Sequence, residues 1–96
     1  MLNSEIGTAA PVFAALGDET RLRLLARLCD GGPLSIAELS EKQPMTRQAV
    51  TKHLHVLLEA GLVKTSKQGR QQVWEMSPEM MKQARRWLKG FIRKPE

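Results

Sequence analysis

The residues best able to do chemistry in this chain lie between residues 45 and 63, where polar side chains recur along one face of a predicted helix. Gln48, Thr51, Lys52 and His55 carry an amide, a hydroxyl, a cation and an imidazole. Such groups form hydrogen bonds with base edges and phosphates in the major groove of DNA. The pattern predicts a helix that reads DNA, with an ordinary solvated face as the alternative.

The opposite face of this helix is apolar. Its residues recur at i, i+4, i+7 and i+8, the spacing of one side of an α-helix: Val50, Leu54, Leu57 and Leu58. Thr46 is predicted as the N-cap, because its hydroxyl can accept a hydrogen bond from a first-turn amide. Gly61 stands where helices commonly end in a left-handed residue. One side of the helix can therefore pack against the core while the other side contacts DNA.

Two helices are predicted over residues 9–30, after a loose tail at residues 1–8. The first has Val12, Phe13 and Leu16 on one face, with Pro11 in its first turn. Asp18 begins the second as an N-cap. The second helix ends in the turn cluster Asp30-Gly31-Gly32-Pro33.

A helix-turn-helix is predicted over residues 35–61. Ser35 and Glu38 have the capping-box spacing, which starts a brief helix over residues 36–41. A turn at residues 42–45 leads into the helix with the polar face. Two short helices joined by a tight turn, the second with a readable surface, form this motif.

Residues 62–76 change from helical to strand periodicity. Residues 62–66 and 71–76 read as two strands joined by the glycine-containing connection at residues 67–70. Lys67 and Arg70 make that connection basic. A basic hairpin directly after a reading helix is predicted to be a wing that contacts the phosphate backbone or the adjacent minor groove, and a plain solvated turn is the alternative.

The last predicted helix, residues 78–92, carries more apolar surface than one small domain needs. Ser77 and Pro78 start it as a hydroxyl cap and a first-turn proline. We expect this face to form a dimer interface together with the first helix, and packing within one chain is the alternative. The expected interface residues are Val12, Phe13, Leu16, Met80, Met81, Ala84, Trp87, Leu88 and Phe91.

Length, charge and composition limit the classes of protein to which this chain can belong. The 96 residues make one small domain with a limited core, and the net charge of +5 favours a polyanionic partner such as nucleic acid. No stretch approaches the roughly 20 apolar residues that span a bilayer. The N-terminal stretch lacks a basic leading region, so we expect no signal peptide. The single cysteine, Cys29, fits a cytoplasmic protein.

By these motifs the chain resembles the ArsR/SmtB family of bacterial winged-helix repressors. The resemblance is carried by FAALGDETRLRLLARL (13–28), LSIAEL (34–39), QAVTKHLHVLLEAGLV (48–63) and GRQQVWEM (69–76). It implies a mainly α winged helix-turn-helix fold with a small β-hairpin, in the order α-α-α-α-β-β-α. It also implies a homodimer joined through the first and last helices, which represses by binding a partly palindromic operator that overlaps a promoter.

The sequence departs from the family at its metal sites. Metal-sensing members often carry paired cysteines where this chain has Cys29 alone, and others place ligands along the last helix, which here offers Glu79 and no histidine. His53 and His55 point in different directions from one helix. We read His53 as partly buried or phosphate-facing, and Cys29 as a core residue. We therefore expect no metal and no cofactor, and the sequence names no inducer.

Catalysis is not expected, because no acid/base pair, phosphate loop or paired nucleophile is present. The hypothesis is a DNA-binding repressor with double-stranded DNA as partner. A winged-helix protein-interaction module, or a metal- or thiol-responsive repressor using Cys29, remain alternatives. The expected DNA contacts are Thr46, Arg47, Gln48, Thr51, Lys52, His55, Lys67 and Arg70.

Overall fold

Five helices surround a small antiparallel sheet in the computed structural model, which describes residues 2–41 and 43–92. The sheet order is β1-β3-β2, so β1 adds a third strand to the predicted hairpin. The predicted mainly α, winged helix-turn-helix fold is confirmed. The elements are α1 (Leu2–Leu16), α2 (Glu19–Gly31), β1 (Leu34–Ser35), α3 (Ile36–Ser40), α4 (Arg47–Glu59), β2 (Val63–Gln68), β3 (Gln71–Met76) and α5 (Pro78–Ile92).

Three helices begin at the predicted caps: Asp18 for α2, Ser35 for α3 and Thr46 for α4. The Arg21 amide donates to the Asp18 carboxylate at 3.0 Å, and the Ala49 amide donates to the Thr46 hydroxyl at 3.1 Å. Each cap satisfies a backbone donor that the helix itself leaves free. Short-range sequence signals therefore set where these helices start.

The core lies where α2, α3, α4 and the sheet meet. All four contribute fully buried side chains, and Leu62 before β2 adds another: Leu24, Leu39, Val50, Leu54, Leu57, Leu62 and Trp74. Burying one such aliphatic side chain stabilises the fold by about 1.5–3 kcal/mol. The apolar face of α4 is thus held against the core, which leaves its other face to solvent.

The wing is longer and its turn tighter than the sequence analysis predicted. β2 pairs with β3 from Val63↔Met76 to Gln68↔Gln71, so Lys67 belongs to the strand and the connection is only residues 69–70. Gly69 has φ +65°, while no residue other than glycine has a positive φ in the described chain. A positive φ at only the first of two central residues is typical of a type II′ turn, which matches the twist of the strands.

The predicted loose tail at residues 1–8 is wrong over its described part, because α1 begins at Leu2. Pro11 therefore lies inside the helix and not in its first turn. The helical spacing of Ile6, Ala9 and Phe13 carries the apolar stripe of α1 one turn further towards the N-terminus. Residue 1 lies outside the described part of the chain.

The end of α4 is closed by a Schellman motif centred on Gly61, as the sequence predicted. The Gly61 amide donates to the Leu58 carbonyl and the Leu62 amide to the Leu57 carbonyl, both at 2.9 Å. Gly61 has φ +77°, and a Cβ there would lie 3.0 Å from Met80 Cε. Both the backbone conformation and the contact with α5 therefore favour glycine.

We predict that Gly61→Ala lowers the free energy of unfolding by at least about 1–2 kcal/mol, the strain of a left-handed alanine. Gly7→Ala is the matched control, since a Cβ there meets nothing within 4 Å. It lies in an exposed helical turn and should instead stabilise by about 0.5–1 kcal/mol. Urea unfolding followed by circular dichroism measures both, and effects of the same sign would contradict the assignment.

Candidate nucleic-acid interface

The solvent face of α4 presents the predicted reading residues together. Arg47, Gln48, Lys52 and His55 are exposed, and Thr51 is half-buried. A shallow surface depression follows the first turns of the helix, lined by Thr46, Arg47, Gln48, Ala49, Thr51 and Lys52. The fold therefore brings six of the eight predicted DNA contacts onto one helix surface.

The Thr51 hydroxyl is already engaged within the helix. It donates to the Arg47 carbonyl oxygen at 2.8 Å. A hydroxyl has one proton, so towards a base Thr51 can accept a hydrogen bond or offer its methyl group. Gln48, with an amide that both donates and accepts, is the more versatile group on this face.

His55 is exposed, yet its ring also contacts the sheet. The His55 and Trp74 ring centroids lie 5.6 Å apart with an interplanar angle of 82°, an edge-to-face arrangement. Trp74 is 1% exposed and lies on β3. This contact connects the polar face of α4 with the base of the wing.

The wing places its cations at the far end of the hairpin. Lys67 near the end of β2 and Arg70 in the turn are both exposed. Behind them, the Thr65 hydroxyl donates to the Val73 carbonyl at 2.7 Å, and the Gln72 amide donates to Thr65 Oγ1 at 3.0 Å. These bonds tie the two strands together below the basic tip.

The charge along this part of the chain is strongly one-sided. Between residues 43 and 74 the sequence contains Arg47, Lys52, Lys64, Lys67 and Arg70, and its one acidic residue is Glu59. Lys64 is exposed on β2 and was not among the predicted contacts, and it lies opposite Glu75 of β3 and near Glu79, so its charge is partly balanced. Its strand position gave no signal, because the predicted contacts were drawn from the helix face and from the wing connection. A cationic surface of this kind attracts a polyanion.

Two arginines of α2 hold the helix-turn-helix in place, a role that the sequence analysis missed. Arg27 Nη1 donates to the carbonyls of Glu38 (2.9 Å) and Leu39 (3.1 Å), near the end of α3. Arg21 lies between the end of α1 and His53 of α4. Sequence periodicity marks these arginines only as lying off the apolar stripe, because the carbonyls they reach belong to other helices.

His53 is half-buried against α2, which agrees with the partly buried alternative. Its Nδ1 lies 3.3 Å from Arg21 Nη1 and 3.9 Å from Asp18 Oδ2. The Arg21 amide donates to Asp18 and lowers the pKa of that carboxyl, which keeps the carboxylate charged. His53 therefore belongs to the support of α4 rather than to its exposed face.

The prediction that Cys29 is a core residue is wrong, because its side chain is exposed. α2 buries Leu24, Leu25 and Leu28, and residue 29 lies one position further round the helix. Across residues 2–41 and 43–92, no three His, Cys, Asp or Glu side chains come together as metal ligands. No helix in these ranges is long and apolar enough to cross a membrane.

The nine predicted dimer residues divide by burial. Val12, Ala84 and Trp87 are buried within one protomer, which for these three favours the alternative of packing within one chain. The reason is the packing of α1 on α5, where the Phe13 and Trp87 rings meet edge-on at 5.9 Å. Leu88 and Phe91 are exposed by 51% and 62%. The remaining four are half-buried against the core: Phe13, Leu16, Met80 and Met81.

Comparison with known proteins identifies the family to which this chain belongs. A family model described as "Helix-turn-helix domain" matches residues 16–66. The HTH-type transcriptional regulator YuzN of Bacillus subtilis is 37% identical over 92 residues, which cover 90% of this chain and 97% of that protein. The arsenic resistance transcriptional regulator ArsR1 of Pseudomonas putida is 30% identical over 88 residues, covering 92% and 69%.

A solved structure agrees with these relatives. The ArsR-like transcriptional regulator from Rhodococcus sp. RHA1 superimposes with a TM-score of 0.82 at 34% identity, covering 92% of this chain and 82% of that chain. The shared elements include the helix-turn-helix and the wing described above. The chain belongs to the ArsR family of winged helix-turn-helix transcriptional regulators, proteins that act by binding DNA.

Proposed function

We propose that the protein is a homodimeric transcriptional repressor that binds a partly palindromic operator overlapping a promoter. The observation that carries the proposal is the two-sided α4. Its apolar side is buried, with Val50, Leu54 and Leu57 all 0% exposed. Its other side offers hydrogen-bonding groups and cations to solvent. A rigidly mounted polar helix is what major-groove reading requires.

The contacts divide by chemistry. Gln48, Thr51 and His55 read base edges, and Gln48 can form a bidentate pair with adenine. Phosphate contacts come from Thr46, Arg47 and Lys52, which position the helix without carrying sequence information. Lys67 and Arg70 of the wing contact the backbone or minor groove beside the same half-site.

The dimer brings two such helices to one operator. The exposed apolar side chains of α1 and α5, among them Ile6, Leu88 and Phe91, need cover from water. A second copy of α1 and α5 provides that cover and buries more surface than this small domain can bury alone. Half-sites then lie one helical turn apart, roughly 34 Å. A dimer bound across a promoter excludes the polymerase and so represses transcription.

We further propose that the repressor is not regulated by a metal ion bound to the residues of one protomer. A tetrahedral site needs three or four converging ligands. Neither Cys29 nor the two histidines belong to such a group among the described residues. In this proposal the protein is a cytoplasmic regulator that responds to a signal other than a metal ion, or to its own concentration.

Fluorescence anisotropy with two duplexes of equal length tests the function. One carries the DNA upstream of the gene and the other a scrambled copy, each at low and at physiological salt. We expect a preference of at least about a thousandfold that survives physiological salt, and no change on adding zinc ions. Equal, weak and salt-sensitive binding to both would contradict the repressor and favour a protein-interaction module.

Two substitutions separate reading from positioning. Gln48→Ala should lose about 1–3 kcal/mol of preference at one base pair while other positions stay unchanged. Arg70→Ala should weaken binding to all sequences alike and reduce the slope of log K against log salt by about 1. Arg23→Ala, an exposed arginine of α2 paired with Glu19, is the control. Loss of a single base preference in Arg70→Ala would contradict its role in the wing.

Leu88→Glu tests the dimer. We expect monomers in analytical ultracentrifugation and at least tenfold weaker operator binding, because a carboxylate then lies within an apolar interface. Leu22→Glu on α2 is the matched control, since Leu22 is 50% exposed and Leu88 51%. It should remain dimeric. Dimers that survive in Leu88→Glu, with an unchanged circular dichroism spectrum, would rule out this part of α5 as the interface.

A further inference from the structure

The side chain of Arg21 joins three helices. Arg21 lies on α2, and its Nε donates to the Ala15 carbonyl at 2.7 Å, while its Nη2 donates to the Ala14 carbonyl at 3.3 Å. Its Nη1 lies 3.3 Å from His53 Nδ1. One planar guanidinium therefore reaches the end of α1 and the inner side of α4 at the same time.

The contact with α1 is a helix cap made by a neighbouring helix. Ala14 and Ala15 belong to the last turn of α1, whose carbonyls have no partner within their own helix. The guanidinium donates to both, and the Ala14 carbonyl also accepts from the Gly17 amide at 3.2 Å. The positive charge of the guanidinium lies at the negative end of the helix dipole. The end of α1 is thereby tied to a side chain of fixed geometry.

The contact with α4 involves Nδ1 of His53. A guanidinium can only donate, so a hydrogen bond between Arg21 Nη1 and this nitrogen requires the tautomer in which Nδ1 is unprotonated. The His53 side chain is 25% exposed, and Asp18 Oδ2 lies 3.9 Å from the same nitrogen. His53 adjoins Lys52 in sequence, yet it faces α2 rather than the proposed DNA surface.

Arg21 also lies at the edge of a groove that separates α1 from α4. The groove has a volume of about 400 Å³ and runs between Pro11 and Ala14 on one side and Val56 and Ala60 on the other. Open space therefore lies between the two helices along this groove. The hydrogen bonds of Arg21 supply a directional link across this boundary.

We propose that Arg21 is a positioning residue that fixes the angle between α1 and α4, and so sets the half-site spacing that a dimer accepts. The inference rests on the proposed dimer through α1 and α5. In that dimer the path from the interface to the DNA runs through α1, Arg21 and α4. A rotation of α4 relative to α1 displaces each reading surface along the operator without changing any base contact.

The test compares variants that break the link with variants that keep it. Arg21→Met removes every bond of the guanidinium, while His53→Leu removes only the bond to α4. His53→Asn places an amide oxygen where Nδ1 accepts, and Arg23→Met is the control on the same helix. The duplexes are the operator, versions with one or two base pairs added to or removed from the centre, and a single half-site.

We expect Arg21→Met and His53→Leu to bind the single half-site within twofold of the wild type. Their affinity for the operator should fall at least tenfold, and their preference among spacings should flatten. His53→Asn and Arg23→Met should keep the wild-type spacing profile. A wild-type profile in His53→Leu overturns the proposal, and so does an equal loss on the half-site and the operator, which would indicate a merely structural role.

A measurement without DNA separates this proposal from the proposed function. If the wild type fails to distinguish the operator from scrambled DNA, the repressor proposal fails. Nitrogen-15 NMR of His53, recorded at a pH where the spectrum shows the neutral ring, still tests the link, since a hydrogen bond from Arg21 requires an unprotonated Nδ1 in the wild type and in Arg23→Met. Arg21→Met should give a mixture of tautomers. An unchanged tautomer in Arg21→Met would show that Arg21 does not hold His53, and would overturn the inference.

Discussion

The burial of one side of α4 is the constraint on which the rest of the structure depends. Val50, Leu54 and Leu57 have no solvent exposure, and each is separated from the next by a whole turn or nearly so. Because successive residues of a helix differ by about 100° in direction, three anchored positions fix the rotation of the whole helix. The directions of Gln48 and Lys52 follow from that packing.

Hydrogen bonds from α2 add to the restraint that apolar packing gives. Interdigitated side chains favour particular distances and crossing angles between helices, and directional bonds from a charged side chain add further restraints at the helix ends. Arg27 reaches the end of α3, and Arg21 reaches the end of α1 and His53 of α4. In each case a charged donor reaches carbonyls in the last turn of a neighbouring helix, so one side chain both caps that helix and positions it.

Features set by local chemistry could be predicted from the sequence, and features set by tertiary packing could not. The N-cap at Thr46 and the left-handed Gly61 were predictable, because each depends on residues within one turn. The burial of Trp87 and the exposure of Cys29 depend on how far each helix is rotated against its neighbours. The wide apolar stripe of α5 does not show which of its residues pack within the same chain and which are left for a partner. The partners of the Arg21 guanidinium are 6, 7 and 32 residues away in sequence, so no pattern within one helical turn points to them.

The two-residue turn of the wing constrains how such a hairpin can change over evolution. Strand pairing runs without interruption to Gln68↔Gln71, and side chains alternate between the faces of a strand. Adding one residue to only one strand would put the two strands out of register beyond the insertion, whereas adding one to each strand extends the ladder in register and turns Lys67 to the other face. Length variation among wings that keep Gly69 and Arg70 at the tip should therefore proceed in paired steps, with the reach of the cation growing by about 3.4 Å for each pair.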